Sequence, residues 1–294
     1  MPALRRAASS RSISILALAA AAMCLGGKAE AGGPADVAGN LPAAPSVPDG
    51  VRITVGASAI SAPLFEGSAR YGVWAVPNIK FEALGGGEGG GTGVLGALKS
   101  FDARSLDDIS VGVLKFGDFE MGPLVGYRIG RLEKDSPRLR GFGDVDGGLV
   151  AGGYARYDLK PFYGRVSLHQ HVTGDDTGLV VRFAAGTEIP VTSKVVFKAD
   201  AFLDYANDTY MNAYFGVTAG QSARSGLRTY DPGAGFKSAG FMIGTDVVVM
   251  PLWTLTASAG YSRLLGDSAS SPIVETPDRV EARLGLSRSF DLRW

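Results

Sequence analysis

The stretch RVSLHQHV, Arg165 to Val172, holds the residues of this chain best suited to chemistry. Ser167, His169 and His171 recur at every second position, so in an extended strand they share one face. Two imidazoles at that spacing can share a metal ion, and a serine beside a histidine is the start of a nucleophile–base pair that would suit lipid hydrolysis. The same face also carries Tyr163 and Arg165. That mixture fits a packed polar interior better than an open site. Asp200, Asp204, Lys198, Glu188 and Arg182, on the polar faces of neighbouring segments, read as an internal charge network, with a selectivity lining for a pore as the alternative. Asp175-Asp176 in TGDDTG reads as a solvated turn in preference to a cation site. The chain has no H-E-x-x-H, G-x-S-x-G, Walker A or zinc-knuckle spacing. A non-enzymatic protein is expected, with no cofactor and no metal.

The elements that carry these residues are not helices. Charged residues make up 20% of the chain, and no segment shows an apolar stripe of period 3.6 over a helical length. No apolar run reaches 18 residues, which excludes a helical membrane protein. Glycine is 42 of 294 residues, about twice its usual share of roughly 7%, and much of it lies inside apolar segments, where it belongs to the fold.

The N-terminus reads as an export signal over 1–31. Arg5, Arg6 and Arg11 form its basic region, Ile13 to Leu25 its apolar stretch, and Ala29-Glu30-Ala31 an A-x-A cleavage site. A lipid-modified Cys24 is the rival reading, but Met23 is larger than the residue such sites favour. Cleavage after Ala31 removes the only cysteine, and with it any disulfide or thiol chemistry. Taking Arg5, Arg6, Arg11, Lys28 and Glu30 from 29 basic and 29 acidic residues leaves 25 and 28, so no nucleic-acid partner is expected. Residues 32–50, rich in Pro, Gly and Ala, read as a flexible periplasmic leader.

From residue 51 the pattern has period two. In WTLTASAGYS, Trp253, Leu255, Ala257, Ala259 and Tyr261 share one face, and Thr254, Thr256, Ser258, Gly260 and Ser262 the other. DFEMGPLVGYRIG, Asp118 to Gly130, alternates likewise, as do 51–59, 73–81, 145–159, 162–172, 179–189, 195–205, 213–219 and 241–249. About ten residues suffice for a tilted strand to cross the hydrocarbon layer. Soluble sandwich strands are usually half as long, and their wet faces are richer in Lys and Glu. A bilayer-spanning sheet must close on itself to pair every backbone group. The expected fold is therefore an all-β transmembrane antiparallel barrel over 51–294, of the outer-membrane type. The final strand and two weaker runs, 92–101 and 109–116, bring the candidates to thirteen. Since bacterial barrels have even numbers, about twelve strands are expected, with ten as the alternative.

The last segment, RLGLSRSFDLRW, puts Leu284, Leu286, Phe290, Leu292 and Trp294 on one face, with Arg288 the only charge among them. Phe290, Leu292 and the terminal Trp294 resemble the C-terminal signal read by the outer-membrane barrel assembly machinery. Working back from this end, Gly266–Pro277 and Gln221–Gly235 become outer loops and Met250-Pro251 an inner turn. Upstream, the turns at Lys160-Pro161 and Pro190–Ser193 cannot both be placed inside without changing a strand assignment near Asp204–Ala213. Tyr210, Tyr214, Phe215, Tyr230 and Trp253 read as aromatic anchors at the lipid headgroups.

YMNAYFGVTAGQSARSGLRTYDPGAGFKSAG (Tyr210–Gly240), followed by LLGDSASSPIVE (Leu264–Glu275), resembles the signature of the MipA/OmpV family of MltA-interacting outer-membrane proteins. The residues that carry this likeness are Tyr214, Phe215, Gly216, Ser225, Gly226, Tyr230, Gly235, Gly266, Asp267, Ser271 and Pro272. SAPLFEGSARYGVWAVPNIKFE (Ser61–Glu82) and GPLVGYRIGR with LRGFGDVDGG (Gly122–Gly148) are similar to other parts of the family, while the Gly-rich Leu84–Gly93 departs from it. The resemblance implies a scaffold in the cell outer membrane, in contact with its lipid, that brings a lytic transglycosylase together with a bifunctional penicillin-binding protein in peptidoglycan assembly. Adhesion or permeability roles are described for other members. A diffusion channel for small solutes is the alternative function.

Overall fold

The computed structural model describes residues 50–84, 100–174 and 177–293. The expected signal cleavage at Ala29 and Ala31, the leader, Leu84–Gly93 beyond Leu84, Asp175-Asp176 and Trp294 lie outside them. The compact unit here is Pro45–Trp294. Thirteen strand segments form one antiparallel sheet: β1 (Gly50–Pro63), β2 (Tyr71–Leu84), β3 (Ser100–Ser105), β4 (Asp108–Gly112), β5 (Leu114–Phe116), β6 (Phe119–Arg128), β7 (Gly148–Leu159), β8 (Phe162–His171), β9 (Leu179–Thr192), β10 (Val195–Ala206), β11 (Gly235–Met250), β12 (Trp253–Leu264) and β13 (Asp278–Arg293).

β4 and β5 are two pieces of one broken strand, since both pair with β6. The wall therefore has twelve staves. β1 pairs with β13 from Gly50↔Arg293 to Ser61↔Ala282, and β4 meets β6 at Ile109↔Val125 and Ser110↔Leu124, so the sheet returns on itself. Closure satisfies the backbone groups that an open edge would leave bare in lipid.

The two faces of the wall differ as the alternation requires. Val73, Phe116, Leu159, Phe162, Phe241, Leu284 and Leu292 point outward and are each more than half exposed. Ser58, Arg165, Ser167, His169, Asp204 and Lys237 point inward and are buried. An apolar outside around a polar inside is the inverse of a water-soluble domain and suits a surround of lipid chains. Among the described residues no helix is long and apolar enough to cross a membrane.

With one exception the described connections sort by length. At one end lie the turns Gly117-Asp118, Lys160-Pro161, Ser193-Lys194 and Pro251-Leu252; at the other lie 64–70, 129–147, 172–178, 207–234 and 265–277, together with the short Leu106-Asp107 link between β3 and β4. Short turns mark the periplasmic end and long loops the outer end. Gly266–Pro277 and Gln221–Gly235 accordingly sit outside, and Met250-Pro251 inside.

The conflict upstream is resolved by one correction: 213–219 is not a strand. It spans the end of α1 (Asp208–Phe215), a short link and the start of α2 (Ala219–Ser225), all inside one outer loop. Tyr210, Met211, Tyr214 and Phe215 repeat with helical spacing and are all buried, while Asn207 caps the helix by accepting the Tyr210 N–H. Removing that strand gives the even count and puts both contested turns at the inner end.

Candidate functional site

Four outer connections fold inward and close the mouth of the barrel. Phe65 from 64–70, Leu139 and Phe142 from 129–147, Val217 from 207–234 and Ile273 from 265–277 form one buried cluster, joined by Tyr230 and Leu227. Beneath it, Tyr210, Met211, Tyr214 and Phe215 of α1 pack on Val180, Ala206 and Leu264 at the upper ends of β9, β10 and β12. Phe215 is 0% exposed. Each such side chain contributes about 1.5–3 kcal/mol of burial, enough to hold a loop lid shut. Tyr210, Tyr214 and Phe215 are therefore core residues of the lid, which corrects the expectation that they anchor at the headgroups. α1 offers one strongly apolar face, and the barrel mouth is the place where it can be buried.

Backbone geometry fits the lid to the wall. Asn207 Oδ1 accepts from the N–H groups of both Tyr210 and Leu179, tying α1 to the start of β9. Gly178 has φ +78°, and a Cβ there would stand 2.4 Å from Asn207 Oδ1 and from the Tyr210 nitrogen, so no side chain fits. α2 begins with a capping box between Thr218 and Gln221 and ends on Gly226 at φ 76°.

Buried cations pin the lid through carbonyl groups. Arg128 donates to the carbonyls of Thr177, Gly178 and His169 at 3.0–3.2 Å, with its guanidinium 4.9 Å from the Tyr210 ring centre. Arg131 donates to the Tyr214 carbonyl at 2.7 Å and lies 5.7 Å from the Phe142 ring centre. Burial holds its guanidinium down to about 10, because the charged form loses water and gains no carboxylate in return. Burial likewise pushes the Tyr210 and Tyr214 phenols up. Lys237 pairs with Glu66 and reaches the Tyr210 hydroxyl at 3.3 Å.

The family-motif residues meet in this lid, although they come from two separate segments. Tyr230 donates its hydroxyl to the Asp267 carbonyl at 2.8 Å, and Asp267 Oδ2 accepts the Gly233 N–H at 3.1 Å. Ser271 Oγ donates to the Phe215 carbonyl at 2.6 Å, and the Pro272 carbonyl accepts from Arg138 at 2.8 Å. Gly216 caps α1, Ser225 Oγ donates back to Gln221, Gly266 takes φ 51° as the first residue of α3 (Gly266–Ser270), and Gly235 opens β11.

Ser167, His169 and His171 do share the inner face of β8, at 1%, 1% and 4% exposure. The His169 ring nitrogens stand 2.9 Å from Ser167 Oγ and 3.0 Å from the Asp107 carbonyl. A carbonyl only accepts, so Nδ1–H donates to Asp107 and Nε2 accepts from the serine. The result is a nucleophile–base pair in form, sealed in the wall with no room for substrate. His171 Nδ1 accepts from the Thr177 N–H instead, so the two imidazoles face different partners. Among the described residues no group of three His, Cys, Asp or Glu side chains could hold a metal.

Of the expected lumenal charge network, Arg182, Asp204, Lys198 and Asp200 have polar partners while Glu188 is exposed, and further residues widen it. Arg182 forks onto Asp204 at 2.7 and 2.9 Å, Lys198 pairs with Asp246 at 2.6 Å, and Tyr163 donates to Asp200. Arg165 makes a buried fork with Asp108. Toward the inner end the pairs are wetter, as in Arg52–Asp291 with side-chain exposures of 38% and 22%. The lumen is thus a polar vestibule under an apolar lid. Sequence reasoning missed Asp108, Arg128, Arg131 and Lys237, whose partners lie far away along the chain; the one local signal was a basic residue on an otherwise small inward face. On β13, Phe290 and Leu292 face outward at 43% and 52% exposure.

Among solved structures the chain is similar to the NanC porin, at 10% identity over 80% of this chain and 98% of that one, with a TM-score of 0.41. It is similar to an outer membrane channel from Pseudomonas putida F1, at 10% identity, 87% and 100% coverage and a TM-score of 0.38. It is also similar to OprB of Pseudomonas putida, at 9% identity, 83% and 94% coverage and a TM-score of 0.38. No curated protein matches. The family model for MltA-interacting protein MipA matches residues 55–290, which takes in every stave and the whole lid. The chain is an outer-membrane β-barrel protein and belongs to the MipA family.

Proposed function

We propose that this barrel is a non-enzymatic scaffold at the inner face of the outer membrane, holding a lytic transglycosylase and a bifunctional penicillin-binding protein in one place for peptidoglycan assembly. The observation that carries the reading is the lid: Phe65, Leu139, Phe142, Phe215 and Ile273 fill the outer mouth with buried apolar packing. A diffusion pathway needs a continuous wet lumen, and such a lid interrupts it. The family description, which names an interaction with MltA, supports a partner of the transglycosylase class. The sealed Ser167–His169 pair supports a role without catalysis.

The inner turns and the polar vestibule above them are the surfaces such partners would meet from the periplasm. The test is site-specific photocrosslinking in intact cells from Asp118, Lys194 and Leu252 at the inner turns, with Arg228 in the outer loop as the control. Crosslinks to both murein enzymes from the inner positions alone are expected. Repeated recovery of the uncrosslinked barrel would count against the scaffold. A conducting wild-type lumen would favour the channel reading.

A further inference from the structure

The lipid-facing surface carries a conspicuous charge. Among the described strand residues that face outward, three are charged: Arg263 and Asp278, which pair with each other at the outer rim, and Arg288, which stands alone. Arg288 lies between Leu286 and Phe290 on the outward face of β13, is exposed, and has neither an ion pair nor a hydrogen bond among the described residues. Its guanidinium is 5.6 Å from the Trp253 ring centre and 5.0 Å from that of Phe290. Trp253 is its partner in register on β12 and follows directly on the inner turn Pro251-Leu252, whose Leu252 carbonyl accepts the Ser289 N–H at 2.8 Å. Arg288 therefore stands at the inner edge of the apolar belt.

A guanidinium there is costly unless its donors are met. Ring faces attract the cation but satisfy none of its five N–H groups. No carboxylate is within reach, and water is scarce on a surface of Leu, Phe and Trp. An arginine near the membrane edge can extend its stem along apolar surface toward the headgroups, where the matching group is a phosphate that accepts two N–H bonds side by side. We propose that Arg288, bracketed by Trp253 and Phe290, binds the phosphate of a glycerophospholipid in the inner leaflet. The rings hold the guanidinium at headgroup depth and the phosphate fills its donor edge. The site fixes the depth of β12 and β13 in the membrane.

Lipopolysaccharide offers phosphate as well, but from the outer leaflet, and the experiment separates the two. The full barrel is purified in mild detergent and examined by native mass spectrometry with added phosphatidylglycerol, phosphatidylethanolamine or lipid A. Wild type should retain a glycerophospholipid adduct, and R288L should lose it by about tenfold or more, as loss of a charge-assisted bidentate contact implies. R288K should keep a large part of it, and W253L should weaken it while leaving the charge in place. Heat-modifiable gel mobility shows that each variant is folded, and W253L and R288K carry the test if R288L is not. Equal glycerophospholipid retention by wild type and R288L, or an Arg288-dependent adduct with lipid A alone, would overturn the proposal.

Discussion

Removing Arg165 should loosen the barrel where β4 closes on β6. β8 is firmly seated, in register with β7 from Val150↔His171 to Leu159↔Phe162 and with β9 from Phe162↔Thr187 to Gln170↔Leu179. β4 is not: it touches β6 through two residue pairs only. The fork from Arg165 to Asp108 ties β8 to β4 across the inner face of β6 and β7, with side chains 4% and 2% exposed. Arg165 also lies 4.6 Å from the Tyr154 ring centre. Arg165→Met leaves the Asp108 carboxylate buried and uncompensated, a loss of about 3–5 kcal/mol. The same figure follows from Coulomb attraction at close range, about 4 kcal/mol at an effective dielectric near 20. Replacing both residues, R165M with D108L, removes the stranded charge and should recover much of the loss. Urea unfolding in lipid vesicles, followed by gel mobility without heating, gives the stability of wild type, each single variant and the double variant. The reasoning is refuted if R165M costs less than about 1 kcal/mol, or if the double variant is no more stable than R165M.

Other consequences can be checked with simpler variants. Phe215→Ala should empty the centre of the lid, cost about 3–5 kcal/mol of lid stability and bring conductance steps in planar bilayers. Asn207→Ala should cost about 1–2 kcal/mol by uncapping α1 and releasing the Leu179 N–H, read as faster protease cutting within 207–234. Tyr210 and Tyr214 should titrate late: their folded values lie above the ordinary 10, so stability is present below that pH and is lost as pH rises past it, when unfolded tyrosines ionise first. Absorbance near 295 nm should show part of the tyrosine titration delayed above pH 10, and Tyr210→Phe should shrink that part.

The wall was legible because a strand's faces are written in adjacent residues. WTLTASAGYS states both faces of β12 within ten letters, and the apolar residues of that run do face outward. The lid was harder. Ala213, Phe215, Val217 and Ala219 alternate by accident of a helix end running into a link, and that alternation hides the helical repeat of Tyr210, Met211, Tyr214 and Phe215. Asn207 followed by Asp208 was a cap signal that outweighed the period-two pattern. Membership of the family pointed to the lid residues without saying that they pack together; Ser271 meets the Phe215 carbonyl across 56 positions of chain. Pairings such as Arg165 with Asp108 leave no local trace, because they depend on which staves the closed sheet brings near one another.

The central claim is a closed twelve-stave barrel whose outer mouth is shut by its own loops. Single-channel recording of the purified, refolded protein in a planar bilayer tests it most directly. The account predicts a flat baseline for wild type under voltages where Phe215→Ala gives steps. Regular conductance steps from the wild-type protein would contradict it.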